Sequence, residues 1–276
     1  DLHLCDRRQR QMCIRDSVHV LSEKPAAISP NQLKKLREAE KRSVAQYGVC
    51  FQNRYNPCVQ AAKERMESGT TGKLLAARAF VTWNRQPPYY TESGWRGTLR
   101  QEGGGVLTNQ AIHTLDLMRY FGGEIAAISG QITNQHLRGV IEVEDTACVL
   151  LQYASGAAGI FYATTAYRQN APVLLELVCE QETLRLEGSN LYRLEGNRFT
   201  LLCGEEERMP GKPYWGSGHA RLIDAFYRSL LPGGEAFPIG AQEGGRASEL
   251  LFSLYMQNGI DYEAIQLNET IDIQAN

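Results

Sequence analysis

The 276-residue chain is long enough for one large domain or two ordinary ones, and at 43% hydrophobic it can bury a full core. A net charge of −2 provides no basic field for phosphate backbones or anionic membranes, which disfavours nucleic acid and lipid surfaces as partners and favours a small molecule. Seven cysteines, an odd number without a CxxC, support neither a disulfide framework nor a zinc ribbon. Apolar stretches such as 157–162 are too short to span a bilayer, and no apolar signal core accompanies the N-terminal arginines, so the expected compartment is the cytoplasm.

Residues 1–17, DLHLCDRRQRQMCIRDS, have no apolar period and differ in character from everything after Val18. MCIRDS can be read from ATGTGTATAAGAGACAG, which resembles the transposon end of sequencing-library adapters, so the segment is expected to be non-native. VHVL (18–21) then has the pattern of a buried strand, stopped by SEKP. Ser29-Pro30 reads as an N-cap followed by proline at the first helical position, and Leu33, Leu36, Ala39, Val44 and Tyr47 keep helical spacing up to Gly48. VCFQ (49–52) completes a strand, helix, strand unit of a parallel sheet.

Asn56-Pro57 opens a helix through Met66, which Ser68-Gly69 ends. From Lys73 the chain reads as strands at 74–83, 127–133, 146–153, 159–165, 173–179, 183–188, 190–196 and 198–203, separated by Gly, Asn and charged turns. Helices are predicted at 219–231 and 242–258. The architecture expected is the tail of a parallel α/β domain followed by an α+β domain with a mostly antiparallel open sheet and helices on one face.

Between these strands lies GGGVLTNQAIHTLDL, residues 103–117. At about 100° per residue, with Asn109 at zero, His113 falls near about 40°, Asp116 near about −20° and Tyr120 near about 20°. One polar seam therefore runs along a helix whose other side carries Leu107, Ala111, Leu115, Met118 and Phe121. Such a seam either faces water around a structural histidine or lines a cleft. The glycines do not fit a phosphate cradle: GxGxxG spacing is absent, a polar loop precedes them and no P-loop lysine follows. They serve a tight turn or a close backbone approach instead. A metal site is not supported either, because HxxD offers two ligands and no third has convincing spacing.

SEKP followed by a helix, then FQNRYNP, then WRGTLRQEGGGVLTNQAIHTLDLMRYFGG, in this order and separation, resembles the Gfo/Idh/MocA family of NAD(P)-dependent oxidoreductases, which act mostly on sugars and cyclitols. The resemblance covers about residues 18–276, and YYTESGWRGT with NQAIHTLD looks closest to the sugar and aminosugar dehydrogenases, including those acting on nucleotide-linked uronates. It implies that 18–55 is the C-terminal remnant of a Rossmann NAD(P)-binding domain and 56–276 a substrate and oligomerisation domain. GxGxxG is missing from the chain, so roughly 80–100 residues of nucleotide domain are expected to lie upstream, and the polypeptide as written is expected to bind NAD or NADP poorly.

The resemblance also implies residue roles. Lys24 would hydrogen-bond the reacting hydroxyl and the nicotinamide ribose, and His113 would transfer the proton, its ordinary pKa suiting physiological pH. Many members carry Asp where this chain has Asn109, which can orient a substrate or His113 but cannot share a proton. Asp116 would either hold His113 in one tautomer or bond structurally. Trp95 and Arg96 would face the substrate, Arg suiting a carboxylate or phosphate and Trp a sugar face. Tyr167 and the YWGSGH stretch from Tyr214 to His219 are further substrate-side candidates, and Glu23 and Arg54 would face the nicotinamide end. The open sheet would pair copies into a homodimer or homotetramer. The other class of function is a non-catalytic sugar-binding or oligomerising module.

Overall fold

A computed structural model describes residues 18–204 and 217–262. The expectations for residues 1–17 and for Tyr214 lie outside the described residues.

Strand β1 (Val20–Glu23) pairs in parallel with β2 (Tyr47–Cys50), and helix α1 (Pro30–Arg42) crosses between them. The Ser29 hydroxyl accepts from the Gln32 backbone N–H and Pro30 opens the helix, so its start forms as the sequence specifies. Its end does not. Helical spacing carries to Tyr47, yet the helix stops at Arg42, Val44 is exposed and Tyr47 is buried in β2. Pairing Tyr47 with Val20 in the sheet outweighs one more helical turn. Phe51 leaves the sheet, and Gln52–Tyr55 forms a 3₁₀ turn where a strand residue was expected.

Helix α2 (Pro57–Glu67) leads into an eight-stranded sheet: β3 (Leu74–Thr82), β4 (Ile125–Thr133), β5 (Thr146–Tyr153), β6 (Ala158–Thr164), β7 (Leu174–Cys179), β8 (Thr183–Glu187), β9 (Asn190–Glu195) and β10 (Arg198–Gly204). The order is β10-β9-β8-β7-β3-β6-β5-β4, with β3 and β6 parallel and every other pair antiparallel. One face is covered by helices and the other is open, which strand β5 shows residue by residue. Ala147, Val149, Leu151 and Tyr153 are buried, whereas Leu150, between them, is 59% exposed. Leu75, Ile160 and Leu201 are also exposed.

On the inner face α2 is joined by α3 (Ile112–Gly122), whereas α4 (Gly218–Ser229) packs on the Gln52–Tyr55 turn and β2, and α5 (Arg246–Gln257) returns to the sheet at β4. The helix predicted at 242–258 breaks at Gly245, where a Cβ would stand 2.6 Å from Leu33 Cδ1, so a separate turn at Ala241–Gly244 precedes α5. A single hydrophobic cluster runs from Ala26 and Val49 through Leu115 and Phe161 to Leu251, so the parallel unit and the sheet share one core. Among the described residues no helix is long and apolar enough to cross a membrane.

Candidate active site

Strand β1 ends at Glu23 and hands the chain to Lys24, whose ammonium turns inward and donates to the Asn109 carbonyl at 2.5 Å. Burial lowers the Lys24 pKa, opposed by the neighbouring Glu23, Glu102 and Cys50. A segment 85 residues along the chain thus fixes the lysine at the end of the parallel strands.

That segment is built on close contacts. At Gly105 a Cβ would lie 1.8 Å from the Glu144 carbonyl oxygen, and at Gly103 one would lie 2.3 Å from Ile28 Cβ, with a positive φ of 83° besides. The glycines let the chain touch both partners. The buried Glu144 carboxylate accepts from the Gly105 N–H (2.8 Å), the Leu107 N–H (3.0 Å) and the Tyr255 hydroxyl (2.8 Å), and burial pushes its pKa up to about 7. Glu144 therefore satisfies the orphan donors at the start of the helical run.

The run begins as one turn of π-helix, Leu107–Ala111, before α3 takes over. A continuous α-helix would have kept Asn109, His113 and Asp116 on one stripe; the wider turn and the tertiary partners divide them. The Asn109 amide donates to the Glu102 carboxylate, which also accepts from the Gly97 N–H at 2.5 Å. Glu102 is buried, and its pKa is raised by burial against the pull of those bonds and of Lys24 and Arg96. His113 packs edge-on against Phe51, ring centroids 5.7 Å apart, and its buried Nδ1 has no hydrogen-bond partner among the described residues. Burial, helped by Lys24 and His219, holds its pKa well below 6.5. The ordinary histidine pKa expected from sequence is therefore corrected: this imidazole is neutral at pH 7.

Asp116 takes no part in orienting His113. Both its oxygens bind Arg54, at 2.7 Å from Nε and 2.5 Å from a terminal nitrogen, and Arg54 also reaches Glu243 at 2.9 Å. The two side chains are buried, and the guanidinium lies 4.9 Å from the Tyr120 ring centroid. Arg54, expected at the nicotinamide end, and Asp116, expected either to hold His113 in one tautomer or to bond structurally, are thus each other's partners. The sequence reading missed this because 62 residues separate them.

On the outer side, the Arg96 guanidinium sits 4.5 Å from the Tyr89 ring centroid and 4.7 Å from that of Trp95. Arg85 lies between Trp83 and Tyr89 at 5.1 and 5.3 Å, so cations and rings alternate along this rim. Arg96 Nε is buried without a partner among the described residues, and Trp95 is 40% exposed. Tyr167 is exposed beside Trp83, whose carbonyl accepts from its N–H, and none of the described contacts joins it to Lys24 or His113.

Glu23, Cys50 and His219 bring an oxygen, a thiol and an imidazole nitrogen within 4.8 Å of one another, but as a polar cluster rather than a metal centre. Lys24 already supplies positive charge beside Glu23 and Cys50. The Cys50 thiol, pushed up to about 12 by burial and by Glu23, to which it donates, keeps its proton. His219 arrives at the start of α4, where the Gly218 N–H donates to Asn56 Oδ1 at 2.9 Å. The structure thus joins Lys24, Asn109, His113 and His219, adds Glu102 and Glu144, and leaves Arg54 and Asp116 as a separate ion pair.

The geometry is thus a parallel strand pair ending in a lysine that turns inward, set against an open sheet and a neutral histidine. The WlbA dehydrogenase of Bordetella pertussis, solved with NADH and UDP-GlcNAcA, is 27% identical with a TM-score of 0.76 over 92% of this chain and 74% of its own. Residues 59–185 match the GFO/IDH/MocA C-terminal domain. Levoglucosan dehydrogenase of Pseudarthrobacter phenanthrenivorans is 23% identical over 80% of this chain and 67% of its own. The NAD(+)-dependent scyllo-inositol 2-dehydrogenase of Bacillus subtilis is 25% identical over 66% and 54%. The chain therefore spans between about half and two thirds of these curated relatives.

Proposed function

We propose that the protein moves a hydride between NAD or NADP and a hydroxyl-bearing carbon of a sugar or cyclitol. The carrying observation is the convergence of the Lys24 ammonium, held by the Asn109 carbonyl, with the His113 imidazole, whose Nδ1 has no hydrogen-bond partner among the described residues. Relatives named for levoglucosan and inositol support the substrate class.

The nicotinamide, when bound, accepts or returns the hydride. The chain's own residues handle the proton and the charge. Lys24, held by the Asn109 carbonyl, supplies a positive charge against a developing alkoxide, and neutral His113 has a free lone pair or N–H for the substrate hydroxyl. His113 Nδ1, a buried polar atom without a partner among the described residues, fits a site that a polar ligand completes. Glu23 and Lys24 are the residues that would meet the cofactor from β1, and residues 18–55 would form the closing part of its domain. Trp95 and Arg96 form the rim where a sugar ring would stack and an acidic substituent would be held, with Tyr167 further out.

The exposed apolar face carrying Leu75, Leu150 and Ile160 favours a second copy of the chain as its cover, giving a homodimer or homotetramer. Five free cysteines among the described residues accord with the reducing cytoplasm. The reading is tested by expressing the complete open reading frame that contains the chain and following NAD and NADP reduction against a panel of sugars and cyclitols. Turnover that survives both Lys24→Ala and His113→Ala would overturn the assigned roles, and no turnover on any member of the panel would favour the non-catalytic module. Light scattering reads the assembly separately.

A further inference from the structure

Glu102 was not among the candidates that the sequence offered, yet it links Asn109 to the rim loop. It closes a short helical turn, Leu99–Glu102, immediately before the glycines, and it is buried at 4% exposure. One carboxylate oxygen accepts from the Asn109 side chain and the other from the Gly97 N–H, one residue beyond the Trp95-Arg96 rim. Its charge acts on both Lys24 and Arg96. A buried carboxylate shared among two cations, a backbone amide and a helical asparagine is costly unless those partners need it.

We infer that Glu102 is the positioning carboxylate of this site: it orients Asn109, tethers the rim loop through Gly97, and keeps the Lys24 ammonium charged. Asn109 cannot carry charge, so the carboxylate next to it supplies a negative field for the half-buried lysine. Lys24 is faced by Glu23 and Cys50 from the two parallel strands and by Glu102 from the glycine loop, and His113 is faced by Lys24 and His219. Of the acids facing Lys24, Glu102 alone is also bonded to the residue whose carbonyl accepts the lysine's hydrogen bond. Glu23 is exposed, so water screens it more than it screens Glu102.

The inference rests on Lys24 as the charged group of the proposed reaction, but its test requires no turnover and so stands or falls separately. The chain is labelled with [¹³C]lysine, Lys24 is assigned by its loss in Lys24→Arg, and its Cε shift is titrated from pH 6 to 11. Glu102→Gln is expected to lower the Lys24 midpoint by about one unit or more, whereas Glu102→Asp restores most of that fall. Asn109→Asp, which adds a second carboxylate beside Glu102, is expected to raise the midpoint. Amide spectra report whether each variant folds, and Asn109→Asp decides the matter should Glu102→Gln not fold. A Lys24 midpoint that stays put in the folded variants overturns the assignment and leaves Glu102 a structural anchor of the loop.

Discussion

Two stretches of one helical run treat their polar residues in opposite ways. Asp116 itself is fully paired: both its oxygens bind Arg54, with Glu243 behind it. Around Asn109 and His113, an imidazole nitrogen is unpartnered among the described residues and the Lys24 ammonium sits in the field of its neighbour Glu23 and of Glu102 from another segment. Complete pairing marks a region that holds the fold, and incomplete pairing marks a region that awaits a ligand.

Substitutions separate the two regions. Asp116→Ala strands a buried guanidinium and is expected to cost roughly 3–5 kcal/mol in urea unfolding, the range for breaking a buried pair from one side. A loss below about 1 kcal/mol would erase the distinction. Glu144→Ala comes next: two backbone amides and the Tyr255 hydroxyl lose their acceptor, and the expected loss is about 2–3 kcal/mol. His113→Asn should change stability at neutral pH by less than about 1 kcal/mol, because it removes no hydrogen bond seen at the orphan Nδ1. The same change is expected to reduce turnover of the complete protein by about 10²-fold or more.

The pH response sharpens the same comparison. His113 has a folded-state pKa below its unfolded value of 6.5, so the unfolded chain binds the extra proton and stability falls as pH drops below about 6.5. Glu144 acts in the other sense: its folded-state pKa, up at about 7 from 4.5, makes the folded chain hold the proton, and stability falls as pH rises across that interval. Melting temperatures between pH 5 and 7 should therefore fall less on acidification in His113→Asn than in the parent. Identical slopes would mean that His113 is not the proton sink. The smallest effect is expected at Trp95→Ala: a stability change within about 0.5 kcal/mol, with weaker sugar binding as the measurable consequence.

The strands were legible because one face of the sheet is buried and the other open, which writes alternation directly into segments such as TACVLLQY. Lys24, Asn109 and His113 were legible from motif and helical spacing. The partner of Asp116 was not legible because Arg54 lies 62 residues away, outside the reach of helical periodicity. Glu144 could not be found by any local signal, since it reaches Leu107 from 37 residues away. Glu102 had one, an acid directly before three glycines, but its weight depends on Lys24 arriving from a distant strand. The end of α1 was misread because pairing of β2 with β1 competes with helical propensity only in three dimensions.

The glycine triplet has a consequence for anyone redesigning the specificity of this site. Its positions admit no variation: any side chain there would collide with Ile28, Tyr255 or Glu144. The rim a few residues earlier carries no such restriction at exposed Trp95. Freedom and constraint therefore lie within one short loop, so a library that randomises Trp95 and Arg96 while fixing residues 103–105 can search new sugars without moving the machinery that would act on them.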